Sequence, residues 1–189
     1  AIASCGTALT VDQCKTIGRY AQNILIARDS DDAGIKATAR DVRVMLGCGQ
    51  YPSVLPLPKG QDPDSFVNAH GGPAFSDHIA KHSRQYVHFL VKFAQRENPG
   101  TEPQQIAAVA KQVRETLDVI ADPVLKTLSY QTLADLLGLS RNLMRPKETA
   151  TPAAANESPL TTMYTHEVTA LRLLVNNWAS TNLEAFKDL

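Results

Sequence analysis

The stretch Asn23-Ile24-Leu25-Ile26-Ala27-Arg28-Asp29-Ser30-Asp31-Asp32-Ala33-Gly34 decides how this chain reads. Its opening apolar run, residues 23–27, predicts a strand buried on both faces. The run passes directly into two aspartates at i and i+2, which on extended backbone point to the same side. They stand at the carboxyl end of a buried strand, where open α/β sheets place their ligands. Hard divalent cations take oxygen donors, commonly one or two carboxylates together with substrate phosphates. Taken alone, the pair reads equally well as a solvated turn in which Asp31 or Asp32 caps the next helix.

Working outward, Ala1-Ile2-Ala3 reads as the tail of a strand. Thr10 opens a helix with Gln13 three residues on, a capping-box pattern. From Ala33 to Leu46 the apolar positions Ile35, Ala39, Val42 and Leu46 recur at helical spacing. Val54–Leu57 offers a further short strand among Pro52, Pro56 and Pro58. This alternation predicts a parallel α/β layer. Past residue 60 the pattern becomes helical. Asp62-Pro63 looks like an N-cap followed by proline in the first turn, and Gly71 like a stop. Helices are expected over about 74–82, 84–96, 104–120 and 129–137, punctuated by Thr101-Glu102-Pro103 and Asp122-Pro123. Residues 146–159, rich in Pro, Ala, Thr and Ser, read as a linker. Tyr164–Trp178 is again helical, with Val168, Leu171, Leu174 and Val175 on one face.

A second acidic pair strengthens the first. Leu57-Pro58-Lys59-Gly60-Gln61-Asp62-Pro63-Asp64-Ser65 also follows a short strand and carries aspartates at i and i+2. Four carboxylates converging on one site repel one another unless a cation neutralises them. Two metal ions about 4 Å apart clamp the attacking and leaving oxygens of a phosphoryl transfer.

Gly6-Thr7-Ala8-Leu9-Thr10, then Asp29, Asp31, Ala33 and Gly34, then Leu57 to Ser65 with its Asp62-Pro63-Asp64-Ser65 core, resemble the ordered motif set of the Toprim domain in bacterial DnaG-type primases. The resemblance is close over about residues 1–75. It continues loosely to about 145 through Ile120-Ala121-Asp122-Pro123-Val124 and Leu133-Ala134-Asp135-Leu136-Leu137-Gly138-Leu139-Ser140. It implies an α/β Toprim-like parallel sheet with flanking helices, followed by an α-helical subdomain. By that resemblance residues 1–72 are the C-terminal part of the Toprim domain and 73–145 the helical subdomain of the polymerase core. Residues 146–160 are then a linker, and 161–189 the start of a helical domain that binds the replicative DNA helicase.

The resemblance also implies a chemistry. Asp29 and Asp31 would be catalytic, and Asp29, Asp31, Asp62 and Asp64 would ligate Mg²⁺ or Mn²⁺. Nucleoside triphosphates would be joined into short RNA primers on a single-stranded DNA template. Family members usually carry glycine where Ser30 stands; a small residue is kept, so metal geometry is expected to survive. The family's Toprim glutamate lies upstream of its Gly-Thr motif, and its zinc-binding domain lies further upstream. The chain is therefore expected to be an N-terminally truncated fragment, nearly inactive alone, with zinc confined to the part it lacks.

Composition tempers this picture. Nineteen Lys and Arg balance nineteen Asp and Glu, giving zero net charge, whereas a self-sufficient nucleic-acid binder is usually basic. No apolar run approaches the roughly 18 residues of a membrane span, so a soluble cytoplasmic protein without a membrane partner is expected. Lys36, Arg40 and Arg43 recur at helical spacing after the first acidic turn. They are candidates for phosphate contacts, although a solvated face interrupted by Asp41 is the plainer reading. Cys5, Cys14 and Cys48 read as reduced structural thiols, and His78 and His82 lack a metal-binding motif. Tyr130–Met144 reads as a packing hairpin. Two rival functions remain at this stage: DNA cleavage of the topoisomerase or Toprim-nuclease type, which wants a catalytic tyrosine or an added nuclease module, and a non-catalytic acidic-site binding module.

Overall fold

Thr10 starts the first regular element as its sequence context demands. Its hydroxyl accepts from the Gln13 N–H at 3.2 Å, and the Gln13 side chain accepts from the Thr10 N–H at 3.0 Å. This closed capping box begins α1, Val11–Tyr20. The computed structural model describes Ile2 and residues 8–144; the linker at 146–160, the segment 161–189 and the expected helix Tyr164–Trp178 lie outside them, as does Cys5. Everything described belongs to one compact unit, Ala1–Pro146.

The chain continues through β1 (Leu25–Ala27), α2 (Asp32–Gly47), β2 (Ser53–Leu55), α3 (Pro63–His82) and β3 (Arg84–Gln85). Helices α4 (Tyr86–Glu97), α5 (Pro103–Leu117) and α6 (Pro123–Leu137) follow, then a 3₁₀ turn, Arg141–Met144. Gly71 interrupts α3 with a positive φ of 83°, so the helix bends where the sequence predicted a stop. Asp122-Pro123, read as a boundary, forms the N-cap and first turn of α6: the Asp122 carboxylate accepts from the N–H groups of Val124 and Leu125. The expected hairpin closes with Gly138 in the left-handed region and Arg141 bound bidentately to Asp135 at 2.9 and 2.7 Å. That guanidinium holds the Asp135 carboxyl below the usual carboxylate range.

Strands β1 and β2 run parallel, with Ile26 opposite Val54. Strand β3 adds to β2 in the antiparallel sense, Val54 opposite Arg84. The expected parallel layer is thus a small mixed sheet, in the order β1-β2-β3. β1 also differs from expectation. Ile26 is buried, but Leu25 is exposed and Ala27 half-buried, because β1 is an edge among the described strands.

The core fills the space between the sheet and the helices. Val42 and Leu46 of α2 belong to one cluster with Leu90 and Val91 of α4, Val113 and Leu117 of α5, and Leu133 of α6. Burying each such side chain contributes about 1.5–3 kcal/mol. Two phenols enter this core with partners: Tyr86 Oη meets Ser129 Oγ at 2.6 Å, and Tyr130 Oη donates to Asp118 at 2.6 Å. Burial raises both phenol pKa values, so both stay protonated. Cys14 and Cys48 are free thiols; burial, with Cys48 beside it, pushes the Cys14 thiol up to about 12.

Two local constraints fix the loop between β1 and α2. A Cβ on Gly34 would stand 2.2 Å from the Asp29 carbonyl oxygen, so only glycine lets the helix start this close to the turn. Asp41, expected on a solvated face, is instead buried. It accepts from Arg28 Nε at 2.6 Å and from the Leu9 N–H at 3.4 Å.

Gly34→Ala is expected to destabilise the fold by about 1–3 kcal/mol through overpacking, read as a lower urea midpoint with unchanged m-value. Asp41→Ala should remove about 2–3 kcal/mol, less than the roughly 3–5 kcal/mol of a fully buried pair, because the Arg28 side chain keeps 22% exposure. A change below about 0.5 kcal/mol in either variant would contradict these assignments.

Candidate metal centre

The two acidic segments leave the carboxyl ends of neighbouring parallel strands, so the sheet itself brings them side by side. They are then knitted together directly. The Ser30 N–H donates to the Gln61 carbonyl at 3.1 Å, and the Gln61 N–H donates to Ser30 Oγ at 3.0 Å. The serine that stands between the aspartates of the first pair therefore grips the residue preceding the second pair. Gly60, with φ of 79°, supplies the backbone turn that presents Gln61 for this pairing.

Each pair has one capping and one freer carboxylate. Asp31 is the N-cap of α2 and accepts from the Gly34 N–H at 2.6 Å. Asp62 is the N-cap of α3 and accepts from the Ser65 N–H at 2.7 Å, while Ser65 Oγ accepts from the Asp62 N–H at 2.9 Å. Ser65 is thus a capping residue. These bonds, the Ser65 N–H first among them, hold the Asp62 carboxyl below the ordinary range, so it stays ionised at neutral pH. Asp64 is exposed and accepts from Asn68 Nδ2 at 3.0 Å. Asp29 is exposed, and its carboxylate has no hydrogen bond or ion pair among the described residues.

Among the described residues no three His, Cys, Asp or Glu side chains gather closely enough to hold a metal by themselves. The donor set available is oxygen, from Asp29, Asp31, Asp62 and Asp64. Beside it lies Gln61 Oε1, a buried oxygen without a hydrogen-bond partner. This is the chemistry of a hard cation that completes its shell with water and ligand phosphates.

The basic residues predicted from spacing divide. Lys36 and Arg40 are exposed on α2. Arg43 stands twelve residues past Asp31, about 18 Å along the helix axis, and donates to the Glu115 carbonyl at 2.9 Å. It ties α2 to α5. Sequence reasoning missed Arg96, whose guanidinium pairs with Asp32 and fastens α4 to the first acidic turn. It also missed a cavity of about 540 Å³ beside that turn, lined by Asp29 and Ser30 on one side and by α4 on the other. The signal for the α4 wall lay in His88, Lys92 and Arg96 recurring every fourth residue, with Arg84 of β3 just ahead of the helix. His78 Nε2 lies 3.0 Å from the Pro56 carbonyl, a packing role near the second turn.

A family model described as Toprim-like (Toprim_2) matches residues 1–67. The DNA primase of Clostridium acetobutylicum is 30% identical over 138 residues, which are 73% of this chain and 23% of that protein. The DNA primase of Pseudomonas aeruginosa is 31% identical over 143 residues, 74% of this chain and 22% of its own length. The chain thus spans about a quarter of the length of such relatives. Among solved structures, a DNA primase domain from Pseudomonas aeruginosa superposes with a TM-score of 0.63 at 30% identity, covering 72% of this chain and 44% of that one. The DnaG primase catalytic domain bound to single-stranded DNA shares the fold, with a TM-score of 0.64 at 23% identity over 74% of this chain and 45% of that one. No helix among the described residues is long and apolar enough to cross a membrane. The chain carries a Toprim-like segment, and the helices that follow it, similar in sequence and fold to part of the catalytic core of DNA primases.

Proposed function

We propose that this chain supplies the acidic metal centre for RNA primer synthesis, with Asp29, Asp31, Asp62 and Asp64 holding Mg²⁺ or Mn²⁺. The observation that carries the reading is the reciprocal Ser30–Gln61 pairing, which joins two Asp-x-Asp turns at the ends of adjacent parallel strands. When bound, the metal ions activate the attacking oxygen and stabilise charge on the departing pyrophosphate. The protein's own contribution is positional. Asp31 and Asp62 are fixed by their capping bonds, so their remaining lone pairs have a set direction. Asp29 and Asp64 flank them at the surface, open to a nucleoside triphosphate. Arg96 holds Asp32 aside on α4, which leaves Asp29 and Asp31 as the working pair of the first turn.

In this reading the reaction is nucleotidyl transfer: a 3′-hydroxyl attacks the α-phosphate of a nucleoside triphosphate, templated by single-stranded DNA. Catalysis is by positioning and electrostatics. Residues 1–72 are the C-terminal part of the Toprim domain, 73–145 the helical subdomain, 146–160 a linker, and 161–189 the beginning of a domain that meets the replicative helicase. A further acidic ligand comes from the Toprim strand upstream of the Gly-Thr motif, and zinc belongs to the family's N-terminal domain. The protein works in the cytoplasm, at the nucleoid during replication. Tyrosine-based DNA cleavage is not favoured, since the relatives and solved structures that this chain resembles are DNA primases.

Titrating Mn²⁺ into the chain by calorimetry tests the shared site. Asn caps helices about as well as Asp, so Asp29→Asn and Asp62→Asn remove charge while keeping the fold. Each is expected to weaken Mn²⁺ binding by about tenfold, or about 1.4 kcal/mol. Parental affinity in both variants would sink the shared-site reading.

A further inference from the structure

Cys14 and Cys48 are both free thiols, and the fold brings them to one place. Cys14, in the middle of α1, is fully buried in the core cluster; Cys48, the C-cap of α2, is half-buried against the same cluster. Their side chains share a hydrogen bond. The packing beside them shows the same close approach independently. Gly18 lies one turn beyond Cys14 on the same face of α1, and Gln50 lies two residues beyond Cys48. A Cβ on Gly18 would stand 2.3 Å from Gln50 Nε2, so α1 rests directly on the segment that ends α2. Both cysteine backbones are held in place. The Cys14 N–H donates to the Thr10 carbonyl at 2.9 Å, and the Cys48 N–H to the Val44 and Met45 carbonyls at 3.1 and 3.0 Å.

The two thiols differ in access to solvent. Burial, with the hydrogen bond to Cys48 after it, pushes the Cys14 thiol up to about 12. Cys14 therefore keeps its proton and donates it to Cys48. Of the two, Cys48 alone meets solvent. The thiolate is the nucleophile toward peroxide, and exposure decides which cysteine oxidises first. A sulfenic acid formed beside a second thiol condenses with it to a disulfide.

We propose that Cys14 and Cys48 form an oxidation site at which hydrogen peroxide closes a reversible disulfide between α1 and the end of α2. The Cys48 thiolate attacks one peroxide oxygen and becomes a sulfenic acid; the O–O bond breaks, and the departing hydroxide takes up a proton as water. The Cys14 sulfur then attacks the Cys48 sulfur. The S–S bond forms as the S–O bond breaks, and the Cys14 proton leaves with the hydroxide as a second water. Two thiols lose two electrons and two protons, and one peroxide is reduced to two waters. Exchange with a small thiol reverses the step, so in a reducing compartment the disulfide is transient. While closed, it makes residues 14–48 a ring that holds β1, the first acidic turn and the Arg28–Asp41 pair. Cys48 stands at the opposite end of α2 from Asp31, about 24 Å along a sixteen-residue helix. The site thus takes nothing from the metal centre.

The test exposes the full chain to hydrogen peroxide in a Cys5→Ala background, which leaves these two cysteines as its thiols. Intact mass should fall by two hydrogens, and peptide mapping without reductant should join Cys14 to Cys48. Dithiothreitol should restore the starting mass. Closing a loop of this length should raise Tm by about 5–15 °C. Cys14→Ala should leave Cys48 as a sulfenic acid that dimedone captures. Cys48→Ala should leave Cys14 unmodified at the same peroxide dose. The crosslink in the intact pair decides the matter whatever the stability of the variants. Retention of both thiols, oxidation of Cys48 to the sulfinic acid in place of the crosslink, or a disulfide between two chains overturns the proposal. A crosslinked chain that melts no higher than the reduced one overturns it as well.

Discussion

The contact on which the acidic corner depends is the one between Arg28 and Asp41. Asp41 lies inside the fold, on the face of α2 turned toward the sheet, and joins three segments distant in sequence. These are the approach to α1 through the Leu9 N–H, the exit of β1 through Arg28, and α2 itself. Arg28 immediately precedes Asp29, so the pair sets where β1 ends and which way the first acidic turn leaves it. A buried ion pair contributes little net stability, but losing one partner leaves the other uncompensated. Its effect here is specificity of placement. Gly34 then allows α2 to begin against the Asp29 carbonyl, and Ser30 reaches across to Gln61.

Zero net charge fits this arrangement once the charges are located. The fold segregates them. Carboxylates collect at the two turns that leave β1 and β2, while cations line the α4 wall of the adjacent cavity. A local field of this kind acts on a ligand within a Debye length, about 8 Å at physiological salt, whatever the total charge. Composition therefore says little about what such a cleft attracts.

Local signals carried most of what was legible in advance. The Thr10–Gln13 box, the Asp62-Pro63 start and the apolar period of α2 each act within a few residues, so their elements stand close to where the sequence put them. Both acidic pairs were legible from strand-end position and order. What escaped depended on partners far along the chain. β3 is only two residues long and has no alternation of its own; it exists because Val54 offers a free edge to Arg84. Asp41 looked like an interruption of a basic face, since the arginine that accounts for its burial is thirteen residues earlier on another element. Arg43 looked available for phosphate until the Glu115 carbonyl came to meet it. The recurrence of His88, Lys92 and Arg96 on α4 was visible as spacing, but not which side of that helix faces the cavity.

The N-caps have a consequence for how the protein tolerates so many like charges in one corner. Asp31 and Asp62 begin α2 and α3 from the two knitted turns, so the amino ends of both helices meet there. Each carries the equivalent of roughly half a positive charge from its aligned peptide dipoles. Two such ends offset about one of the four negative charges with backbone alone. The fold thus has a built-in counter-charge that moves with the carboxylates. It eases their repulsion during folding, yet is too weak and too fixed to displace a divalent cation. An acidic corner assembled on loops would lack this, and would depend on bound cations to hold its shape.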